Sequence, residues 1–179
     1  MRLRSAILSL LMAAVMIFCV TMNTLASSEN EICVMIYMCG SNLESEYGAA
    51  TSDLEEILSA GFDTDRVHVL IMAGGSASWN MGFDPSQLSV LEVGKRGLKT
   101  IWTDEASNMG DSSSLKQLLD ITKEKYPYCT KALILWDHGG GPMNGVCYDE
   151  LYKPDTLSIA EIAEALEGYG TLSWIGFDA

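Results

Sequence analysis

The stretch Ala132-Leu133-Ile134-Leu135-Trp136-Asp137-His138-Gly139-Gly140-Gly141 decides the reading of this 179-residue chain. Its apolar half shows no alternation, which describes a strand buried on both faces and so a parallel sheet with helices on each side. An acid, a histidine and three glycines follow at once. In such sheets the loops at the carboxyl ends of the strands build the site, above all where the strand order reverses. His138 and Gly139 fall at such an end.

The rest of the chain repeats the pattern. Ile32 to Met38 is another unbroken apolar run, ended by Gly40. Ser52 with Glu55 reads as a capping box opening a helix through Leu54, Ile57 and Leu58, which Gly61 stops. Val67 to Met72 is the second strand, and Ser76 to Pro85 an irregular loop. Leu88 to Val93 and Leu98 to Trp102, either side of Gly94-Lys95-Arg96-Gly97, read as a hairpin decorating the sheet. Asp111 caps a helix from Ser112 to Lys125, and Pro127 ends it. Ser158 and Glu161 form a second capping box, with Ile159, Ile162, Ala163 and Leu166 as the core stripe and Gly168 as the close. Leu172 to Phe177 is the fourth strand, which reads as central and buried and runs straight into Asp178-Ala179. Strands alternating with amphipathic helices give an α/β fold with right-handed crossovers, a mostly parallel sheet and helices on both faces.

Arg2 and Arg4 precede the apolar run Ala6 to Val20 and the small-residue exit Thr24-Leu25-Ala26, so residues 1–26 read as a secretory signal peptide and 27–179 as one domain. If the segment stayed uncleaved it would hold the protein at the cell surface. Cleavage gives a secreted protein, expected to be a monomer with no stable membrane association. The chain carries 11 basic against 24 acidic side chains, a net charge of -13 that argues against nucleic acid as a partner. Four cysteines remain after cleavage, Cys33, Cys39, Cys129 and Cys147. Cys33 and Cys39 lie on one strand, about 20 Å apart at ~3.3 Å per residue, and cannot bridge. Cys129 and Cys147 pair only if their loops cooperate, and all four read best as small buried side chains. His68, between Val67 and Val69, takes a structural or edge role.

If the third and fourth strands are neighbours, their ends lie about 4.8 Å apart, close enough for His138 to meet a side chain that follows the other strand. A Cys-His dyad needs that geometry. The imidazole assists thiolate formation and then protonates the departing amine, while backbone N–H groups stabilise the oxyanion. Gly139 presents no side chain to obstruct a substrate carbonyl, and its N–H is a plausible oxyanion donor. Read alone, His138 is a structural histidine, the glycines are a turn, and Asp178 is a strand-end acid bonded to local backbone. No phosphate loop and no Gly-x-Ser-x-Gly elbow occurs in the chain.

An ordered series of segments goes further: Ile36-Tyr37-Met38 followed by Gly40-Ser41-Asn42-Leu43-Glu44, Asn108-Met109-Gly110-Asp111 before a helix, Tyr126-Pro127 after it, Leu135 to Gly141, and Gly176-Phe177-Asp178-Ala179. The series resembles the clostripain family of cysteine peptidases. The resemblance implies a caspase-like three-layer sandwich, a Cys-His dyad that requires no cofactor, and cleavage of proteins or peptides after arginine or lysine. It maps His138 to the catalytic histidine, Gly139 to the oxyanion position and Asp178 to the acidic wall of the S1 pocket. A carboxylate there would hold a basic P1 side chain by a charge-assisted hydrogen bond. The family's cysteine follows Phe-Asp-Ala, which is position 180 here. The 179 residues are therefore expected to be the N-terminal part of a peptidase domain, with its sheet incomplete at the C-terminus, and inert by themselves. Asp137 is assigned no catalytic part, and Cys147 lies in the wrong loop for a nucleophile. Calcium stays open, because Asp149, Glu150 and Asp155 form no calcium loop, and no metal ligand is assigned. The rivals are a pseudo-peptidase that keeps the fold as a binding module and a secreted α/β binding protein, which leaves the ordered segments unexplained.

Lys153 is the only basic residue after His138, and it precedes Pro154, whose ring and missing N–H make the bond a poor protease substrate. No efficient self-cleavage is expected between His138 and Asp178. N-terminal sequencing of an active full-length preparation checks this, and a new terminus at Pro154 would overturn it.

Overall fold

The computed structural model describes residues 31–153 and 155–179, so the expected signal segment lies outside the described residues. The main sheet contains β1 (Ile32–Cys39), β2 (Val67–Gly74), β3 (Gln87–Gly94), β4 (Gly97–Glu105), β5 (Thr130–Trp136) and β8 (Trp174–Asp178) in the order β4-β3-β2-β1-β5-β8. β6 (Val146–Tyr148) and β7 (Thr156–Leu157) form a separate two-stranded ladder. β1 is parallel to β2 and to β5, and β5 is parallel to β8. The sequence visits β2 on one side of β1 and later β5 on the other, so the strand order reverses at β1 and β5.

The helices are α1 (Ser41–Tyr47), α2 (Ala49–Ser59), α3 (Ser112–Lys125), α4 (Gly141–Asn144) and α5 (Ile159–Leu166). Leu115, Leu118 and Leu119 of α3 and Ile162 and Ala165 of α5 pack with Met35, Tyr37, Leu133 and Leu135 on one face of the sheet. Ala50 and Leu54 of α2 pack with Ile36, Met38, Ile71 and Trp136 on the other. Alternate residues of β1 thus feed two cores, which is why its sequence shows no polar alternation. The result is the expected three-layer α/β sandwich with a mostly parallel sheet. All four described cysteines are free and buried.

The caps explain where two helices start. Asp111 accepts from Ser113 N at 2.8 Å to open α3. Ser158 and Glu161 form the reciprocal capping box of α5, as expected. Three expectations need correction. The Ser52 capping box does not form: α2 begins at Ala49, after Gly48 in the left-handed conformation at φ 66°, and α1 precedes it. Its opening turn is instead served by buried Glu44, which accepts from Thr51 N at 2.8 Å, Thr51 Oγ1 at 2.7 Å and, from the loop beyond β2, Asn80 N at 2.8 Å. The hairpin does not decorate the sheet but extends it, because β3 pairs antiparallel with β2 through Leu70 to Ala73. Finally, β8 is the outer strand among the described residues, with Trp174, Ile175 and Phe177 exposed rather than buried.

Removing the buried Glu44 carboxylate takes the acceptor from part-buried donors on two segments. Glu44→Ala is expected to lower unfolding stability by about 3 kcal/mol, read by urea denaturation. A loss under about 1 kcal/mol would mean that water replaces the carboxylate.

Candidate active site

The loops leaving β1 and β5 meet where the strand order reverses. Gly40, Ser41 and Asn42 continue from β1 into α1, and Asp137, His138 and Gly139 continue from β5. Gly40 must be glycine, since an added Cβ would lie 2.8 Å from the Trp79 ring and 2.9 Å from Ser76 Cβ. Ser41 sits at φ 45°, a strained conformation for a side chain of its kind, and donates from Oγ to Asp137 Oδ1 at 2.5 Å. Ser76 Oγ donates to the Ser41 carbonyl at 2.8 Å and braces the turn.

His138 is exposed, and its Nε2 lies 2.8 Å from Asn42 Oδ1. With the amide oxygen facing the ring, Nε2 carries the proton and Nδ1 is left as the basic nitrogen. Gly139 forms a bridge with Val146 in which Cys147 N donates to the His138 carbonyl and Gly140 N donates to the Gly145 carbonyl. That is the non-hydrogen-bonded pair of an antiparallel ladder, so the N–H and C=O of Gly139 point away from β6. Ala179 lies against the side-chain face of Gly139: a Cβ added to Gly139 would sit 2.8 Å from the Ala179 Cβ.

The β5–β8 register pairs Leu135 with Phe177 and Trp136 with Asp178. Partners in a parallel ladder share a face, so Asp178 and His138 both lie on the α2 face. Asp178 is exposed, and its carbonyl accepts from Asp137 N at 3.1 Å. Phe177 and Ala179 turn to the opposite face, where with Gly139, Pro142, Val146 and Ile162 they line an apolar cavity of about 400 Å³ that Asp178 does not border. The three residues singled out in the sequence therefore come together at the carboxyl ends of β5 and β8. Asn42 was quoted in the sequence without a role, and nothing local to it signals one; its contact with His138 spans two loops.

The described thiols are unsuited to nucleophilic work. Burial pushes Cys39 and Cys147 well above the usual thiol range, Cys33 up to about 12 and Cys129 up to about 11. Asp149, Glu150 and Asp155 tie loops together: Asp149 accepts from Met109 N and Leu151 N at 2.8 Å each, Glu150 from Ser45 Oγ at 2.8 Å, and Asp155 from Thr156 N at 3.0 Å.

Asp137 is 2% exposed, and its Oδ2 has no hydrogen-bond partner. Burial raises its carboxyl pKa to about 6 against the opposing Ser41 hydrogen bond, while the N–H dipoles of His138 and Tyr148 favour the charge without bonding Oδ2. A raised folded-state value means the native state binds the proton more tightly than the unfolded one. This group therefore adds stability as pH falls from about 6 towards 4 and loses it as pH rises through that window. Relative to Asp137→Asn, the parent protein should gain up to about 3 kcal/mol across the window, as measured by urea unfolding at a series of pH values. Parallel stability curves for the two proteins would refute the shift.

Comparison with known proteins bears on the family and the fold. The family model described as the clostripain family matches residues 36–179. Clostripain from Hathewaya histolytica is 23% identical over 181 residues, which cover 85% of this chain and 34% of the relative. A secreted cysteine protease from Bacteroides thetaiotaomicron, solved with an irreversible peptide inhibitor, has a TM-score of 0.67 at 22% identity and covers 83% of this chain and 42% of its own. An inactive zymogen protease from Parabacteroides distasonis has a TM-score of 0.56 at 25% identity, covering 83% and 41%. The chain thus spans about a third of the curated relative, at 34% of its length. Among the described residues, no helix is long and apolar enough to cross a membrane. With the family model extending over most of its length, the chain belongs to the clostripain family of cysteine proteases.

Proposed function

We propose that the protein is a secreted cysteine endopeptidase that cuts proteins or peptides after arginine or lysine. His138 serves as general base and then general acid, the Gly139 N–H as an oxyanion donor, and Asp178 as the anionic wall for a basic P1 side chain. The observation that carries the proposal is the β5–β8 register. Trp136 pairs with Asp178, so two residues further on the position beside His138 and on its face is 180. A cysteine there would place its thiol beside the imidazole, and none of the described cysteines occupies such a place. Asn42 holds Nε2, so Nδ1 takes the thiol proton as sulfur attacks the scissile carbonyl. The imidazolium then protonates the leaving amine, and water hydrolyses the acyl-enzyme by the same route in reverse. The outward-facing Gly139 N–H supports an oxyanion role, because it is not used by the neighbouring ladder. Exposed at the rim on the His138 face, Asp178 is open to a charge-assisted hydrogen bond. Secretion rests on the composition of residues 1–26.

The full-length secreted protein is expected to begin at Ser27 and to cleave fluorogenic peptides with arginine or lysine at P1 at least about tenfold better than neutral ones. His138→Ala should lower kcat/KM by about a thousandfold, and Asp178→Asn should remove most of the preference while sparing neutral substrates. Equal cleavage of basic and neutral peptides would refute the pocket. No cleavage and no labelling by a thiol-directed peptide inhibitor would leave a binding protein in place of a peptidase.

A further inference from the structure

Three donors of different chemical type converge at the other end of the sheet. Glu31 immediately precedes β1, His68 is the second residue of β2, and Cys129 immediately precedes β5. Ile32 pairs with Val67 on one side and Thr130 on the other, so the register brings these positions to a single rim of three adjacent strands. Glu31 Oε2 lies 3.1 Å from His68 Nε2 and 3.6 Å from Cys129 Sγ. One ligand atom from each residue lies within 4.8 Å of the other two. The His68 ring stacks on Tyr126 with centroids 4.2 Å apart and planes at 16°, which fixes the direction of its nitrogen.

We propose that Glu31, His68 and Cys129 form a zinc site, completed by water, that clamps the amino ends of β1, β2 and β5. In a tetrahedral zinc centre, bonds of about 2.0–2.1 Å to nitrogen and oxygen and about 2.3 Å to sulfur place neighbouring ligand atoms about 3.3–3.7 Å apart. The two Glu31 separations fall close to those edges, and the His68 and Cys129 ligand atoms, within 4.8 Å of each other, must close to about 3.6 Å. The donor set selects the metal: a thiolate, an imidazole and a carboxylate suit zinc, whereas calcium and magnesium take oxygen ligands. Metal binding displaces the Cys129 proton and replaces the Glu31–His68 contact by two bonds to the ion. The His68 and Glu31 side chains keep 16% and 23% of their surface, which leaves an approach for the ion and its water. The site lies about a full strand length from His138, on the order of 23 Å along β1, and so touches no part of the proposed reaction. Its work would be structural, since it joins segments far apart in sequence and closes long loops.

The test uses full-length protein freed of metal by a chelator and titrated with zinc alone, and separately with cobalt as a spectroscopic probe. One zinc per chain should bind with micromolar or tighter affinity and raise Tm by about 5–10 °C at saturation. Cobalt should give a thiolate charge-transfer band in the near ultraviolet. Cys129→Ser and His68→Gln should each weaken zinc binding on the order of 100-fold and abolish the rise in Tm, and Cys129→Ser should also remove the band. Should the serine variant fail to fold, His68→Gln carries the test, because its amide can still reach Glu31. His138→Ala should leave zinc affinity unchanged. No zinc uptake, variants that bind as tightly as the parent, or a cobalt–thiolate band that survives Cys129→Ser would overturn the site. Binding without a rise in Tm would overturn the clamp.

Discussion

β1 is paired along both edges and covered on both faces, and that enclosure decides where polar chemistry can sit. A strand so enclosed has no surface on which to show a polar side chain, so the polar groups of this region collect where it ends. Ser41, Glu44, Ser76, Asp137 and Asp149 are all buried around the carboxyl ends of the parallel strands. Groups buried there must find partners, and several of the partners come from other segments. Ser41 donates to Asp137, Glu44 accepts from Thr51 and Asn80, and Asp149 accepts from Met109 and Leu151. The loops that carry Asn42 and His138 are therefore held against each other by bonds that exist only when the strands are in register. Precision at the candidate site is a consequence of enclosure at the centre of the sheet.

The same division explains what was legible in the sequence. Strands buried on both faces announce themselves as unbroken apolar runs, and β1, β2 and β5 appear where those runs lie. Caps built from residues two or three apart are equally local, so Asp111 and the Ser158–Glu161 pair mark the starts of α3 and α5. The start of α2 was not legible, because its opening turn depends on Glu44, seven residues before Thr51, and on Asn80, 36 residues beyond Glu44. Ser52 and Glu55 match a capping pattern, but the long-range carboxylate outweighs the local one. The place of the β3–β4 hairpin was hidden for a similar reason, since nothing in a hairpin's own sequence states which edge it joins. His138, Gly139 and Asp178 each follow a run that reads as a strand, but their proposed roles came from the resemblance of the ordered segments and not from the strand ends alone. Asn42 was not legible, since its contact with His138 crosses the reversal in strand order.

The two histidines show how position in the sheet separates roles that composition cannot. His68 is stacked on Tyr126 and paired with Glu31 at the amino rim, where its orientation is fixed from two sides. His138, at the carboxyl rim, is exposed and held by one hydrogen bond to a neutral amide. The amide oxygen of Asn42 facing Nε2 sets the tautomer of the ring. Under the proposed reading, the exposed ring is the one open to a substrate, and the stacked one is the one held in place.

Net charge would not account for the proposed preference for basic substrates, although the chain carries -13. At physiological ionic strength the field of a distant surface charge decays over about 8 Å, so an acidic surface hastens encounter with any cation without selecting the residue at the scissile bond. Selection at P1 requires a carboxylate within hydrogen-bond reach of the bound side chain, fixed relative to the nucleophile and the imidazole. Asp178 meets the second condition through the ladder, where its partner is Trp136 and its carbonyl is held by Asp137 N. A shift of register by one residue would turn Asp178 to the cavity face and put Phe177 on the face that His138 occupies. Under the proposed reading, specificity therefore resides in the same β5–β8 register that aligns the dyad, and the two cannot be lost separately by any change that moves the strand.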